Sequence, residues 1–574
     1  MVFCHDASYS MRWQFFSPDS EMSERLAREL NVPPLMARLL VQRGIEDAEA
    51  GNRFLHPRLS DLHDPYQMAG MRPAVERLRR AIALNERILI YGDYDVDGAM
   101  AVVVLLTALR SLGAQVEAYI PHRLTDGYGM RVPVVERASA EGIRVVISVD
   151  TGIREHAVIA RAQELGVDCV VTDHHLPEDR LPPACAILNP RRDDCAYPEK
   201  SLAGVGVAFK LAQALLEGGI SEPVLRSYLK LVAIGTIADV VPLLGENRII
   251  AHFGLAGLRE PSQAGLGALM EVAGLAGQAV TANDVAFRIA PRLNAAGRME
   301  DAAEVIELMV TSEGERARAI AARLDLLNRE RQRTEDEILR EITDRMAQHP
   351  EILSRYSLVF AGEAWHRGVI GIVAQRVVER AYRPTLVVGI EDGVGVGSGR
   401  SIRGFHLLDA LTSLSGLFER FGGHAQAAGF ALPAGRIAEL EARFEERARA
   451  ALRPEDLEPT QHIDGELSLQ EVDWKLLEEV QRLEPFGSGN PKPVFAARKV
   501  RLAAPPRVLK EKHLKLRVTQ GGEAFDALAW RQAGRSRELE SGRSLDLAFT
   551  LDANVYQGVS SLQLILRDLR RTES

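Results

Sequence analysis

Cysteine is scarce in this 574-residue chain: there are four (Cys4, Cys169, Cys185 and Cys195), and no two form a Cys-x-x-Cys pair. So sparse a set makes no disulfide framework, and a reducing cytoplasm is the compartment that fits. Long apolar runs are missing as well. No stretch of about 18 residues is free of charge, which excludes a membrane-spanning helix. The opening MVFCHDASYSMRWQFF has neither the basic nor the apolar region of a signal peptide. There is no repeat of 20–50 residues and no low-complexity tract. What is present is ordinary globular usage, 46% hydrophobic and 26% charged, which argues against wholesale disorder.

The net charge of −9 conceals a split. Residues 491–574 carry 16 Lys and Arg against 9 Asp and Glu, a net of +7, which leaves residues 1–490 at −16. A basic C-terminal stretch on an acidic body points to a polyanion-binding module beside a carboxylate-rich site; a basic tail kept for solubility is the plain alternative. At about 150 residues per domain the length accommodates three or four domains. Residues 1–86 read as a helical cap, with short helices separated by Pro and Gly. Across 87–300 short apolar strands (Ile88–Tyr91, Val116–Ile120, Val145–Val149, Cys169–Thr172) alternate with helical stretches, and from about Gly204 to Leu258 the pattern is mostly helical. Such alternation predicts a parallel sheet covered by helices, with ligands at the strands' carboxyl ends. Residues 301–350 hold a long, highly charged helical run with too few apolar positions for a two-sided core, which predicts a bridge. A second α/β lobe over 351–455 has strands at Ser357–Ala361 and Pro384–Ile390, a helix after Val369, and the glycine-rich GVGVGSGRS and FGGHAQAAG. In the last part, 456–574, LEPFGSGNPKP marks a boundary. Beyond it HLKLRVT, FDALAW, LDLAFTLDANVY and SLQLILRDL suit a small β-barrel.

The sharpest chemical signal is Asp93-Tyr-Asp95-Val-Asp97-Gly98. Three carboxylates at alternate positions repel at close range, and a divalent cation relieves that most simply; a solvated acidic turn is the alternative. A calcium-binding EF-hand loop begins the same way, but its twelfth position, where a bidentate Glu belongs, is Val104 here and its ninth is Ala101. Asp150 ends the strand VVISVD, Asp173-His174-His175 ends CVVT, and Asp239 lies in GTIADVVPL. Each Asp follows apolar residues, where a lone ionised carboxylate is costly unless paired or metal-bound. Any one alone reads as a cap or turn residue, but strand ends in a parallel sheet converge. Several Asp with His and no Cys favour Mn²⁺ or Mg²⁺ over a structural zinc.

DYDVDG, VDTG, DHH and GTIADVVPL, in that order, resemble the four motifs of the DHH phosphoesterase superfamily, and GSGRS with GGHAQAAG is similar to its associated domain. PHRLTDGYG, LAGVGVAFK, PRLNAAGRM, WHRGVIGIVA and LEPFGSGNPKP narrow the resemblance to the RecJ exonuclease family, over nearly the whole chain. The resemblance implies an α/β fold: a parallel-sheet DHH catalytic lobe and a second α/β DHH-associated lobe joined by a long helix, then a C-terminal OB-fold β-barrel. It implies a metal-dependent 5′→3′ exonuclease that degrades single-stranded DNA to 5′-mononucleotides in recombination and repair. The implied partners are single-strand-binding protein and a helicase, and the chain is expected to be a monomer. Two divalent cations, Mn²⁺ or Mg²⁺, are the implied cofactors: Asp93 and Asp95 would hold one, Asp97, His174 and Asp239 the other, and Asp150 both. His175 would touch the phosphate or move a proton.

A strand end bearing a 5′-phosphate is a compact dianion, which Arg forks and backbone N–H groups match. The candidates are Arg123, Arg292, Asn294, Arg298, Ser398, Arg400 and Ser401, with His366 and His424 as further substrate contacts. A salt bridge is the plain alternative for each Arg, and a satisfied core position for each His. A cleft too narrow for a duplex would give strand selectivity. In the barrel, Arg498, Lys499, Lys510, Lys512, Lys515 and Arg517 would track the backbone, with Phe525, Trp530 and Tyr556 as stacking platforms. Two rivals stand beside this reading: hydrolysis of very short oligonucleotides or pyrophosphate by a sister activity, and a non-catalytic DNA-binding scaffold.

Overall fold

The structure, a computed structural model, describes residues 11–122, 127, 129–216, 220–539 and 544–572. Among the described residues no helix is long and apolar enough to cross a membrane. The chain divides into two compact units. One comprises Ala48–Glu330 and Leu483–Pro491; the other takes its described residues from 1–47, 331–482 and 492–574.

The first unit is built on five parallel strands: Arg87–Tyr91, Val116–Tyr119, Ile143–Val149, Asp168–Thr172 and Ala186–Leu188. Short runs of Ile and Val suit a sheet buried on both faces, where side chains of either parity must be apolar. Their spatial order is 116–119, 87–91, 143–149, 168–172, 186–188. The sheet's first strand in the chain therefore lies inside it, second from one edge, and the connections leave it towards opposite edges. Such a reversal opens a crevice at the carboxyl ends, here at the strands 87–91 and 143–149. Helix Val96–Ser111 is buried nearly all round, as its continuous apolar sequence predicts. It packs against helices Gly204–Leu215, Glu222–Ala238 and Ala303–Val310.

A 35-residue helix, Gly314–Gln348, carries the charged run, and the division between the two units falls within it. Its buried charges are paired. Asp325 accepts from Arg292 at 2.9 Å, while Glu335 pairs with Arg331 at 2.9 Å and with Arg376 at 3.1 Å. These buried polar positions recur along one face, which is why the helix needs few apolar ones.

In the second unit the sheet runs in the order Arg420–Gly423, Ala427–Pro433, Val394–Arg400, Thr385–Glu391, Leu358–Glu363. The glycine-rich stretches are strands. A Cβ on Gly397 would stand 2.1 Å from the Phe430 ring, and one on Gly399 would stand 2.7 Å from Leu386. Gly395, Gly397 and Gly399 thus leave room on one face for the side chains packed over it. Further on, Phe495–Leu502, Ser544–Tyr556, Val559–Arg571, Glu523–Ala529 and His513–Gln520 pair in succession. The last returns to the first through Arg501↔Thr519, closing a five-stranded barrel of the OB type. A strand the sequence pattern does not announce, Arg12–Phe15, lies parallel to Thr460–Ile463, and Trp13 Nε1 donates to Asp568 at 2.7 Å.

Candidate metal centre

Register brings the acids to one height. Tyr91 pairs with Ser148, and Val149 with Thr172. The residues just beyond, Asp93, Asp150 and Asp173, therefore leave adjacent strand ends together. Asp150 N–H still donates to the Thr172 carbonyl at 2.9 Å, but its φ is +58°, which turns the side chain out of the sheet. A non-glycine residue in this region costs roughly 1 kcal/mol or more and persists where the surroundings fix it. Asp95 caps helix Val96–Ser111, accepting from Gly98 N–H at 3.0 Å, and Asp97 stands in its first turn. Both oxygens of Asp97 accept from the free N–H groups that open helix Gly204–Leu215, Gly204 at 2.7 Å and Val205 at 2.9 Å. Asp239 caps the end of helix Glu222–Ala238. Glycines make the approach possible: a Cβ on Gly204 would stand 2.6 Å from Asp150, and one on Gly98 would stand 2.8 Å from Asp93.

The result is two donor sets. One oxygen each from Asp93, Asp95 and Asp150 lie within 4.8 Å of one another, and so do one oxygen each from Asp97 and Asp239 with a nitrogen of His174. Asp150, His174 and His175 form a third such group. His174 Nε2 stands 3.1 Å from Asp150 Oδ1, 3.7 Å from Asp239 and 3.9 Å from Asp97. Asp150 Oδ1 is nonetheless buried without a hydrogen-bond partner. With the ring bonded to the Leu202 backbone through Nδ1, Nε2 would present a lone pair to the acids. Lone pairs turned towards one another in a buried pocket are what a cation resolves, and an all-oxygen set plus one neutral imidazole fits a hard divalent ion.

Electrostatics agree with that fit. Burial, then repulsion from Asp95, lifts Asp97 to about 7. Burial, then Asp97 and Asp95, lifts Asp239 to about 9. Asp150 is pushed well above the carboxylate range by burial and by repulsion from four other aspartates. Burial and the neighbouring His175 hold His174 down to about 4, so it is a neutral donor. His175 differs. Burial lowers it, but the bond from its Nδ1 to Asp173 Oδ1 at 2.8 Å and the charge of Asp173 outweigh this and leave it raised.

The sequence pattern left three contributors without a role. Asp173 is buried and accepts from the backbone N–H of Ile153, His174 and His175, so it holds the whole Asp-His-His turn. Asn189, fully buried, donates to the His175 carbonyl at 2.8 Å and accepts from Arg191 N–H at 2.8 Å. Arg191 is exposed, and its charge draws down both Asp239 and His174. No spacing rule marks it. Only its place two residues beyond Asn189 does.

Of the phosphate candidates, Arg123 lies outside the described residues. Arg292 is taken up by Asp325 and by the Arg288 carbonyl at 2.5 Å. Helix Ala290–Met299 meets the acidic loop at Gly297, where a Cβ would stand 2.5 Å from the Tyr94 carbonyl; Asn294 and Arg298 share one face of that helix. In the second unit Ser398 and Arg400 stand at the N-terminus of helix Ile370–Ala381. A Cβ on Gly371 would meet Ser398 Oγ at 2.9 Å and Arg400 Nη2 at 3.2 Å, and Arg400 donates to Ser398 at 3.2 Å. The His366 carbonyl accepts the Ile370 N–H of the same helix start at 3.3 Å. His424 lies at the hairpin that brings Ala427 opposite Arg400. Ser401 turns inward to the Phe405 carbonyl at 2.7 Å. In the barrel Lys515 and Arg517 both pair with Asp526, at 2.8 and 2.9 Å, and Arg498 pairs with Glu466 at 2.9 Å. Lys510 and Lys512 are both exposed, without an ion pair among the described residues. Of the stacking candidates, Phe525 is a barrel core residue because its strand position faces inward, whereas Trp530 is exposed edge-on to His513; nothing is described of the Tyr556 side chain.

A parallel sheet with acids gathered at its switch point, a second glycine-stranded sheet and a closed five-stranded barrel define the DHH class of proteins. Residues 87–236 match the DHH family N-terminal domain, 354–450 the DHHA1 domain and 463–568 the RecJ OB domain. The chain is 38% identical to the single-stranded-DNA-specific exonuclease RecJ of Bacillus subtilis, over 98% of this chain and 71% of that protein. It is 37% identical to the protein of the same name from Escherichia coli, over 96% and 98%. The crystal structure of RecJ in complex with Mn²⁺ from Thermus thermophilus superposes with a TM-score of 0.84 at 33% identity, covering 98% of this chain and 80% of that one. The chain belongs to the RecJ family of single-stranded-DNA-specific exonucleases.

Proposed function

We propose that this chain hydrolyses single-stranded DNA from its 5′ end, releasing 5′-mononucleotides, with two divalent cations, Mn²⁺ or Mg²⁺. Asp93 and Asp95 hold one ion, Asp97, His174 and Asp239 the other, and Asp150 both. The observation that carries the reading is the pair of donor sets meeting at Asp150, whose buried Oδ1 faces the lone pair of His174. The bound cations supply Lewis-acid activation of water and neutralise charge on the scissile phosphate. The protein's own groups do the rest. Asp173 fixes His175 with Nδ1 as donor and favours its doubly protonated form, from which Nε2 can give its proton to the phosphate or the leaving oxygen. Buried backbone N–H groups hold Asp97 in place. Arg123, Arg292, Asn294, Arg298, His366, Ser398, Arg400, Ser401 and His424 are the residues proposed as 5′-phosphate or DNA contacts. A basic barrel tracking the backbone implies affinity that falls steeply with salt.

The same reading extends to context: a cytoplasmic monomer in recombination and repair, working with single-strand-binding protein and a helicase. Its domains divide at 86/87, 300/301, 350/351 and 455/456. One digestion tests the core of it. An oligonucleotide labelled at either end, single-stranded or duplex, is treated with and without Mn²⁺. Rapid release of a labelled mononucleotide only from the 5′-labelled single strand with metal is expected; release from the 3′ end, or metal-independent turnover, refutes the reading.

A further inference from the structure

Proline- and glycine-rich LEPFGSGNP reads in the sequence as a boundary before the barrel, but its chain segment packs within the catalytic unit. We infer that residues 483–491 are a brace that fixes the turn carrying Asp239, and that occupancy of the cation held by Asp97, His174 and Asp239 depends on it. The inference rests on the two-ion reading above and names a positioning element for it.

The turn needs outside support. Helix Glu222–Ala238 ends at Asp239, and the next residue, Val240, has φ +62°. A β-branched residue in the left-handed region is strained, so the turn is held only if its neighbours over-determine it. Val240 is exposed and contributes little burial of its own. Three residues on, Leu243 N–H donates to the Ser488 carbonyl at 2.8 Å, and the Leu243 side chain is buried. The contact is close. A Cβ on Gly487 would stand 2.6 Å from Leu243 Cδ1, and one on Gly489 would stand 2.9 Å from Pro242 Cβ. Asn247 completes the other side, donating to the Pro242 carbonyl at 3.1 Å and the Ser201 carbonyl at 2.7 Å.

The brace is itself rigid. Arg248, almost wholly buried, donates to the carbonyls of Leu483 at 2.8 Å, Glu484 at 2.7 Å and Phe54 at 2.8 Å. Asn490, fully buried, donates to Leu483 at 2.8 Å and Pro485 at 2.9 Å, and Gly487 pairs with Asn490 as a short bridge. Arg248 belongs to the helix Gly245–Leu258 that follows the Asp239 turn. One element therefore grips the brace while the brace grips the turn. The bonds named above end on the Asp239 turn and on helix Gly245–Leu258, so the brace acts on the donor set that contains Asp239.

The test uses the full-length protein without DNA. Gly487→Ala intrudes on Leu243, and Gly487→Ala with Leu243→Ala returns the space. Mn²⁺ binding to metal-free protein is followed by calorimetry, and exchange of the Leu243 amide with solvent by mass spectrometry. The expected result is that wild type binds two ions, and Gly487→Ala weakens one about tenfold or more and leaves the other within twofold. Leu243 exchange accelerates, and the double variant recovers part of the lost affinity. Circular dichroism in EDTA reports folding, and if Gly487→Ala does not fold, Asn490→Ala, which loosens the brace without adding an atom, takes its place in the same measurements. Two ions bound with wild-type affinity despite faster Leu243 exchange would overturn the brace, as would equal weakening of both. A wild type that binds no Mn²⁺ would instead overturn the two-ion reading.

Discussion

Replacing Asp150 by Asn should make the metal-free protein more stable and the metal-bound protein less stable than wild type. The oxygens of Asp93, Asp95 and Asp150 lie within 4.8 Å of one another. Two unit charges at that distance repel by about 3 kcal/mol at an effective dielectric constant near 20. Proton uptake already relieves part of this, since burial and mutual repulsion hold Asp150, Asp239 and Asp97 above the ordinary carboxylate range. A net gain of about 1–2 kcal/mol for the neutral amide in EDTA is therefore expected, or about 2–6 °C in the melting of the catalytic unit. Asn also tolerates the left-handed backbone that Asp150 occupies, so the substitution adds no strain there.

With Mn²⁺ the order reverses. A ligand at 100 times its dissociation constant stabilises the folded state by about 2.7 kcal/mol, and wild type gains this at each occupied site. The variant lacks the carboxylate proposed to serve both sets, so it gains less than one site's worth and hydrolyses no DNA, while DNA binding persists. Thermal melts of both proteins in EDTA and in saturating Mn²⁺, monitored in parallel with filter binding, decide the matter. Two curves that cross between the conditions support the centre. A variant less stable than wild type in EDTA, or one with an undiminished Mn²⁺ shift, would refute the reasoning.

The pH dependence has a defined sign. Asp97 at about 7 and Asp239 at about 9 bind protons in the folded, metal-free protein that the unfolded chain has already released. Stability in EDTA should therefore fall as pH rises from 7 to 9; raised His175 acts in the same direction, and His174, held at about 4, opposes only weakly near pH 7, where the unfolded imidazole is still partly protonated. Urea melts across the range check it, and a rise in stability would count against the assignment. Asp173→Asn should lower kcat by about 10²–10⁴-fold with little change in KM, because it removes the charge that favours protonated His175 and replaces one of the two accepting oxygens with a donor; an equal loss in KM would point to a role in binding. Arg191→Ala should weaken single-stranded DNA binding and reduce the salt slope by about 0.7, the value for one phosphate contact, as measured by titration at several salt concentrations. Lys512→Glu should flatten the same slope more than Lys515→Glu, since Lys515 is already paired with Asp526 at 2.8 Å; identical slopes would remove the barrel from the DNA track.

The catalytic sheet was legible because its signals are local. Runs such as ILIY and VVISV can only be buried strands, and the acids at their ends are visible as polar residues directly after apolar ones. Once the strands are parallel, register does the rest: Tyr91 opposite Ser148 and Val149 opposite Thr172 bring Asp93, Asp150 and Asp173 together without long-range information. The second sheet was harder to read. Val394–Arg400 is a strand in spite of three alternating glycines, and glycine weakens strands in isolation. The reason lies in a different part of the chain, where Phe430, Leu386 and Leu407 occupy the space those missing side chains leave.

What stayed hidden has a common physical origin. Asn189 and Arg248, and Asp173 in its anchoring role, act through hydrogen bonds to backbone carbonyls and amides, and any residue type can supply such a partner. Side-chain identity at the far end of the bond therefore carries no signal. Arg292 shows the converse: the residue type suits a phosphate, yet in the fold a buried Asp325 claims it at 2.9 Å. A carboxylate about three helical turns into the long charged run differs in no local feature from its exposed neighbours. Composition and spacing reveal where charge is concentrated, but which charges are already neutralised by one another is decided only when helices Ala290–Met299 and Gly314–Gln348 meet. For a protein that handles a polyanion, that pairing separates cations available to the ligand from those spent on the fold, and it explains why candidate metal ligands stand out in the sequence far more readily than phosphate contacts.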